Sequence, residues 1–209
     1  MVTIKVSLVL LLIMAESDTK QRIKQAANDL VMQYGIRSVS MDDIAAKLGI
    51  SKKTIYLYFK DKDEILHELM EMGFKYMGSY MQHIQDTNPV NRIFLTGEAY
   101  IKFGLENKDW YELMFNSIKP INHIINCGSD WNEGLNMFSF LIKNCEEAIK
   151  QTNLKNVEAN ILALQLWSSV HGMVNLYHSE RLCIVLDENP NVLINKTLKS
   201  MINSIFNHN

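Results

Sequence analysis

Between Lys47 and Lys62 the chain carries five lysines, at 47, 52, 53, 60 and 62, against one acid, Asp61. Ammonium groups at that density neutralise phosphates and release condensed counterions, the sequence-independent part of nucleic-acid affinity. Among them stand Thr54, Tyr56 and Tyr58, whose hydroxyls can donate to phosphates or base edges. Leu57 between them suits the methyl group of a thymine. The chain as a whole offers a polyanion no such attraction. Its formal net charge is −2, so binding has to come from this local patch.

Other chemistry has no motif to carry it. There is no Ser/His/Asp or Cys/His set, no HExxH, no paired ExxH and no glycine-rich phosphate loop. His67, His83, His123, His171, His178 and His208 are scattered. Cys127, Cys145 and Cys183 are odd in number, widely spaced and form no CxxC pair, which fits a reducing compartment and neither a disulfide framework nor a zinc site. The expectation is a chain without catalytic residues, metal or cofactor. An enzyme on an all-helical scaffold and an adaptor that no longer binds DNA stand as the other two classes.

The elements that must hold the basic patch can be read from periodicity. With 47% apolar residues, 21% charged, three prolines and nine glycines, the composition favours helix throughout. Ile23, Ala26, Ala27, Leu30, Val31 and Tyr34 mark one face of a first helix, opened by a capping spacing at Asp18 and Gln21 and stopped by Gly35. Ser40 opens a second helix with inner residues Met41, Ile44, Ala45 and Leu48, and Gly49 ends it. A third helix follows from Lys52 to about Phe59, with Ile55 and Phe59 inward and Lys53, Thr54, Leu57 and Tyr58 outward. Two helices joined by Leu48-Gly49-Ile50-Ser51 form a helix-turn-helix, whose second helix fits a major groove roughly 12 Å wide. A fourth helix, capped by Asp61 and Glu64, runs from Lys62 to about Gln85 with a stripe at Ile65, Leu69, Met72 and Tyr76, and Asn88-Pro89 breaks it. Further helices are expected at about Pro89–Asn107, Asp109–Ile118, Trp131–Gln151, Val157–Arg181 and Pro190–Asn207, with looser connections at 119–130 and 182–189. The fold class is therefore all-α: about nine helices, a three-helix head and a helical body.

The string MDDIAAKLGISKKTIYLYFKDKDEIL closely resembles the N-terminal domain of the TetR family of regulators. The matching residues are Ser40, Ile44-Ala45, Leu48-Gly49, Ser51, Thr54-Ile55-Tyr56, Tyr58-Phe59, Lys62, Glu64 and Leu66, with Ala26-Ala27 and Gly35 in the first helix. The resemblance implies that Lys52–Tyr58 is the recognition helix. It implies that Tyr56 and Lys62 hold phosphates and that Lys52, Lys53, Thr54, Leu57 and Tyr58 line the groove, with Ser40 completing the DNA-binding set. Residues 16–62 would then be the DNA-binding domain and 63–209 an effector-binding and dimerisation domain.

The string Trp167-Ser168-Ser169-Val170-His171-Gly172 is similar to a tryptophan-histidine-glycine pattern of one TetR C-terminal subclass. Structurally, Trp167 and His171 would pack on one face and Gly172 would permit close helix approach; functionally, either ring would face a ligand. By the resemblance, aromatic residues of the body surround an apolar cavity, with Phe103, Trp110, Phe115, Phe138, Trp167 and His171 as the candidate set. Leu198, Met201, Ile202 and Ile205, together with Ile161, Leu164, Gln165 and Ser168, could form a four-helix seam between two copies. The expected partners are double-stranded DNA at a pseudo-palindromic operator, a small mostly apolar effector and a second copy, without a membrane, in the cytoplasm. Residues 1–15 form an apolar extension whose run Val6–Ala15 is shorter than the roughly 18 residues a span requires. It reads as an upstream start before Met14, as a packed extra segment, or as a targeting segment.

Overall fold

The computed structural model describes residues 2–128, 130–185 and 187–206, with side chains from Asp18 onward. The expected apolar extension at 1–15 has its side chains outside this range. In chain order the helices are α1 (Val2–Tyr34), α2 (Met41–Leu48), α3 (Lys52–Ile55), α4 (Lys62–Met81), α5 (Pro89–Glu106) and α6 (Lys108–Tyr111). After a π-helical turn at Glu112–Asn116 come α7 (Ile118–Cys127), α8 (Asn132–Thr152), α9 (Ala159–His178), α10 (Leu182–Val185) and α11 (Pro190–Phe206). No strand occurs among the described residues, so the all-α expectation holds.

The contacts divide the chain into two compact units, residues 1–72 with 112–130 and residues 73–111 with 131–209. The core of the first unit is Ile23, Ala26, Ala27 and Val31 of α1, Met41, Ile44 and Ala45 of α2, Ile55 and Phe59, and Ile65, Leu66, Leu69 and Met70 of α4. Lys24 is buried with them, and its ammonium reaches Glu68 at 3.2 Å while that of Lys20 reaches it at 2.9 Å. Burial pushes the Glu68 carboxyl up, but these two ammonium partners outweigh it and hold it below its ordinary value.

In the second unit α5 packs against α8, α9 and α11. Arg92 of α5 ties itself to α8 by donating to Asn144 Oδ1 at 2.7 Å and pairing with Glu147. The helix axes come close at glycines. A Cβ on Gly104 would stand 2.8 Å from Val174 Cγ1, and one on Gly97 would stand 3.1 Å from Leu198 Cδ1.

Several expectations change. The Asp18 cap is not used, because α1 runs unbroken through it, and Tyr34 at its end is 57% exposed. Of the expected α4 stripe, Ile65 and Leu69 are fully buried beside Leu66, Met70, Phe74 and Met77, whereas Met72 is half-buried and Tyr76 lies to the side, 41% exposed; the helix also stops at Met81. The stretch 119–130, read as a loose connection, contains α7, whose Pro120 and His123 are buried while Ile118 and Ile125 face water. Its Ser117 N-cap and left-handed Gly128 stop are ordinary helix signals that a proline in the first turn obscured. Gly172 is not a close approach within the chain, since a Cβ there meets nothing within 4 Å. Leu198 and Ile202 are buried inside the single chain and are therefore unavailable to a seam between copies.

Two glycine substitutions separate crowding from helix propensity. Gly104→Ala should lower unfolding stability by about 1–3 kcal/mol through overpacking against Val174. Gly78→Ala, where a Cβ meets nothing within 4 Å inside α4, should raise it by up to about 1 kcal/mol. Urea unfolding of both variants measures the pair.

Candidate nucleic-acid interface and body recess

The head is shaped by its helix ends. Ser40 caps α2, accepting from the Asp43 amide at 3.2 Å while the Asp43 carboxylate accepts from the Ser40 amide at 2.8 Å. These Ser40 contacts hold the Asp43 carboxyl below its ordinary value. Gly49 closes the helix in the left-handed region, at φ 65°, which turns the chain in one residue. Ser51 then caps α3, its Oγ accepting from the Thr54 amide at 3.1 Å and standing 2.8 Å from Thr54 Oγ1. Regular α3 is only Lys52–Ile55, shorter than expected. The chain continues in tighter turns, with Leu57 N donating to Thr54 O and Tyr58 N to Ile55 O, which still bury Phe59 beneath Ile55.

This places the outward set as the sequence suggested. Leu57 is 73% exposed and Tyr56 48%, Lys53 is exposed, and Tyr58 is half-buried. The lysines are less free than their number implied. Lys47 pairs with Asp29 of α1 at 3.0 Å, and Lys52 pairs with Asp42 of α2 at 2.9 Å. Lys62 donates to the Ile36 carbonyl at 2.8 Å, and burial pushes its ammonium down. Ser40 and Thr54 spend their hydroxyls on capping. Asp29 and Asp42 lie outside the 47–62 window, so counting charge in that window could not reveal them.

The body candidates do not form one site. Phe103 is fully buried in an edge-to-face cluster with Tyr76 and Tyr80, and Trp110 stands 6.2 Å from Tyr76. Phe115 belongs to the first unit. Phe138, Trp167 and His171 do assemble, with ring centroids 5.6 and 6.1 Å apart. Two tyrosines outside the candidate set complete this group. Trp167 Nε1 donates to Tyr100 Oη at 3.3 Å, Tyr100 Oη lies 3.1 Å from Tyr111 Oη, and Tyr111 Oη meets His171 Nδ1. His171 Nε2 contacts the Asn175 side-chain amide at 2.9 Å. The Tyr111–His171 contact is met when the phenol donates to Nδ1 of a neutral His171, whose Nε2 then carries the ring proton. Burial raises both phenols and lowers His171, which keeps the group uncharged.

Beside it lies a recess of about 50 Å³, walled by Ile93 and Gly97 of α5, Leu141 of α8, Val170 of α9 and Met201 of α11. Trp167 alone of the candidate set lines it; Tyr100 and Thr96 are its polar members.

A helix-turn-helix braced by α1 and α4, followed by an all-helical body, defines a class of DNA-binding regulator. The model for bacterial regulatory proteins of the tetR family matches residues 23–69, and that for the tetracyclin repressor-like C-terminal domain matches 93–201, more than half of the chain. The chain belongs to the TetR family of transcriptional regulators. It is 22% identical to an HTH-type transcriptional regulator of Staphylococcus aureus strain USA300 over 82% of this chain and 94% of that one. Its fold is similar to that of a protein of unknown function from Rhodococcus sp. RHA1, with TM-score 0.71, 15% identity and coverage of 90% and 95% of the two chains. It is likewise similar to a TetR/AcrR-family regulator from Thermobifida fusca, with TM-score 0.65, 18% identity and coverage of 89% and 97%.

The neutral His171 makes a pH prediction. Its folded value lies below the ordinary 6.5, so the unfolded chain binds the proton first as pH falls. The stability it contributes is complete above about pH 6.5 and is lost as pH drops through the folded value. Asp29, Asp43 and Glu68, all lowered from ordinary values of 4.5 or less, act only at more acid pH. The urea midpoint should therefore fall between pH 7.5 and 5.5, and His171→Gln should flatten that fall.

Proposed function

We propose that the chain is a ligand-responsive repressor, a homodimer that occupies a pseudo-palindromic operator and leaves it when a small, mostly apolar effector binds the body. The observation that carries the DNA-reading part is Leu57 and Tyr56 held out in water beside Lys53, on a helix whose opposite residues Ile55 and Phe59 are buried. An apolar side chain 73% exposed at the pole of a cationic face is a liability in solution and an asset against a thymine methyl. Tyr58, Lys52 and Thr54 flank it in the groove. Tyr56 and Lys62 take phosphates, Lys62 with the two ammonium hydrogens that Ile36 leaves. Ser40 completes the set from the start of α2.

The dimer reading rests on one face of α9. Ile161, Leu164, Gln165, Ser168, Gly172 and Leu176 fall at helical spacing, and Ile161, Leu164 and Leu176 are 49%, 48% and 43% exposed. Ser168 and Gly172 at its centre admit a second helix closely. Val192 of α11 is exposed as well, at 45%. A two-fold dimer sets its reading helices about 34–36 Å apart, one turn of DNA. In the cytoplasm an effector bound among Trp167, Phe138 and His171 acts on the head through α4. That helix begins at Lys62 and continues past Gly73 into the second unit. Coupling of roughly 1–3 kcal/mol suffices for such a switch.

The purified chain should retard DNA from its own upstream region in a gel-shift titration. Lys53→Ala should weaken that binding and reduce the slope of log affinity against log salt by about one. No retardation of the upstream region, with unrelated DNA behaving alike, would sink the operator reading. Separately, Gly172→Leu should shift the chain from dimer to monomer in sedimentation velocity with its helical circular dichroism unchanged, because a Cβ at that position meets nothing within 4 Å in its own chain.

A further inference from the structure

The DNA contacts assigned so far all lie between Ser40 and Lys62, and one strong donor of the head stands outside that set. The Lys62 ammonium donates to the Ile36 carbonyl at 2.8 Å and lies within electrostatic reach of Asp43. Asp43 in turn is bonded to the amide and hydroxyl of Ser40. The turn before α2, the start of α2 and the start of α4 therefore meet at one corner of the head. Arg37 sits at that corner, in the chain between a residue tied to Lys62 and a residue tied to Asp43. Its turn is tight: Ser38 N donates to Gly35 O at 3.2 Å, and Gly35 has a φ of 80°. Arg37 is exposed, and among the described residues its guanidinium has no hydrogen bond, ion pair or ring contact.

The other charges at this corner are already engaged. Lys62 is half-buried and gives one hydrogen to Ile36. Lys52 is paired with Asp42. From Tyr34 to Ala46 the sequence has a single basic residue, Arg37, against two acids, Asp42 and Asp43. The start of α2 is itself a poor anion site, because the Asp43 carboxylate closes onto Ser40 and Asp42 adds a second negative charge. Yet in a helix-turn-helix the first helix of the pair crosses the sugar-phosphate backbone while the second enters the groove. α2 is that first helix.

We infer that Arg37 clamps a DNA phosphate outside the groove, at the flank of each half-site, and supplies there the attraction that Lys62 gives only in part. The inference deepens the reading of the head as a DNA-binding surface and rests on it. A guanidinium is planar and meets two phosphate oxygens with two parallel N–H donors, which a lysine cannot do. Arg37 breaks no ion pair to bind. A phosphate contact fixes the register of the head on the duplex and carries no base information.

The full-length protein is titrated over a range of salt against its own upstream fragment and against unrelated DNA of the same length, as wild type, Arg37→Ala, Arg37→Lys and Lys53→Ala. Arg37→Ala should weaken both DNAs by a similar factor and lower the slope of log affinity against log salt by about one for each half-site occupied. Arg37→Lys should recover the slope. An unchanged slope in Arg37→Ala overturns the inference, as does a loss that Arg37→Lys does not recover. A loss confined to the upstream fragment also overturns it, since that would make Arg37 a reader of bases. A slope lowered by Lys53→Ala and not by Arg37→Ala upholds the α3 contact and overturns the role of Arg37. A slope lowered by Arg37→Ala and not by Lys53→Ala does the reverse, and a slope unaffected by either overturns both.

Discussion

Each end of an α-helix leaves four backbone N–H or C=O groups without an intrahelical partner, and in an all-helical chain the layout follows from how those groups are satisfied. The head shows this most plainly. Ser40 and Asp43 satisfy each other's amides at the start of α2, Gly49 turns the chain at its end, and Ser51 caps α3 after a two-residue gap. Asp61 Oδ1 accepts from the Glu64 amide, and Glu64 Oε2 accepts from the Lys60 amide, which fixes where α4 begins. The angle between α2 and α3, and hence the direction in which Leu57 points, is set by these few side-chain bonds together with Ile44, Ile55 and Phe59 beneath them. In the second unit Asn88 plays the same part for α5, accepting from two amides with Pro89 occupying a position that has no hydrogen to offer.

Charge is the second organising quantity, and it is more local than it looks. A window holding five lysines and one acid suggests a strongly cationic surface. Folding brings Asp29 and Asp42 up to Lys47 and Lys52. What remains outward without an acid partner is Lys53 and Lys60, with aromatic and aliphatic side chains between them in the chain. Such a surface favours recognition by contact over long-range attraction, in keeping with a chain close to neutral.

The head was legible because its rules are local. Caps, a left-handed glycine and a four-residue spacing of Ile55 and Phe59 are all written within twenty residues. Both ends of α5 and the start of α11, capped by Asn189, were readable for the same reason. The body's site was not. The Tyr100–Tyr111–His171 group joins residues far apart in the chain, and a tyrosine in a helix looks the same whether its hydroxyl meets water or an imidazole. The seam residues were half legible. Ile161 and Leu164 face outward as the periodicity suggested, whereas Leu198 and Ile202 obey the same periodicity and are covered by their own chain. Amphipathic spacing states that a face will be buried, not by what. The missed α7 is a different failure: Ile118, Ile121 and Ile125 repeat at helical spacing and Gly128 closes the helix at positive φ, but Pro120, which sits in the first turn where proline is tolerated, looks like a breaker in the sequence.

Thr96 has a consequence for how much stability the second unit holds back. Its buried hydroxyl, left without a partner, withholds about 1–3 kcal/mol from the folded protein, out of a total that for most domains is only 5–15. Valine keeps the shape of threonine and has no hydroxyl to strand, so at this position the chain lies below the stability that its own packing would allow.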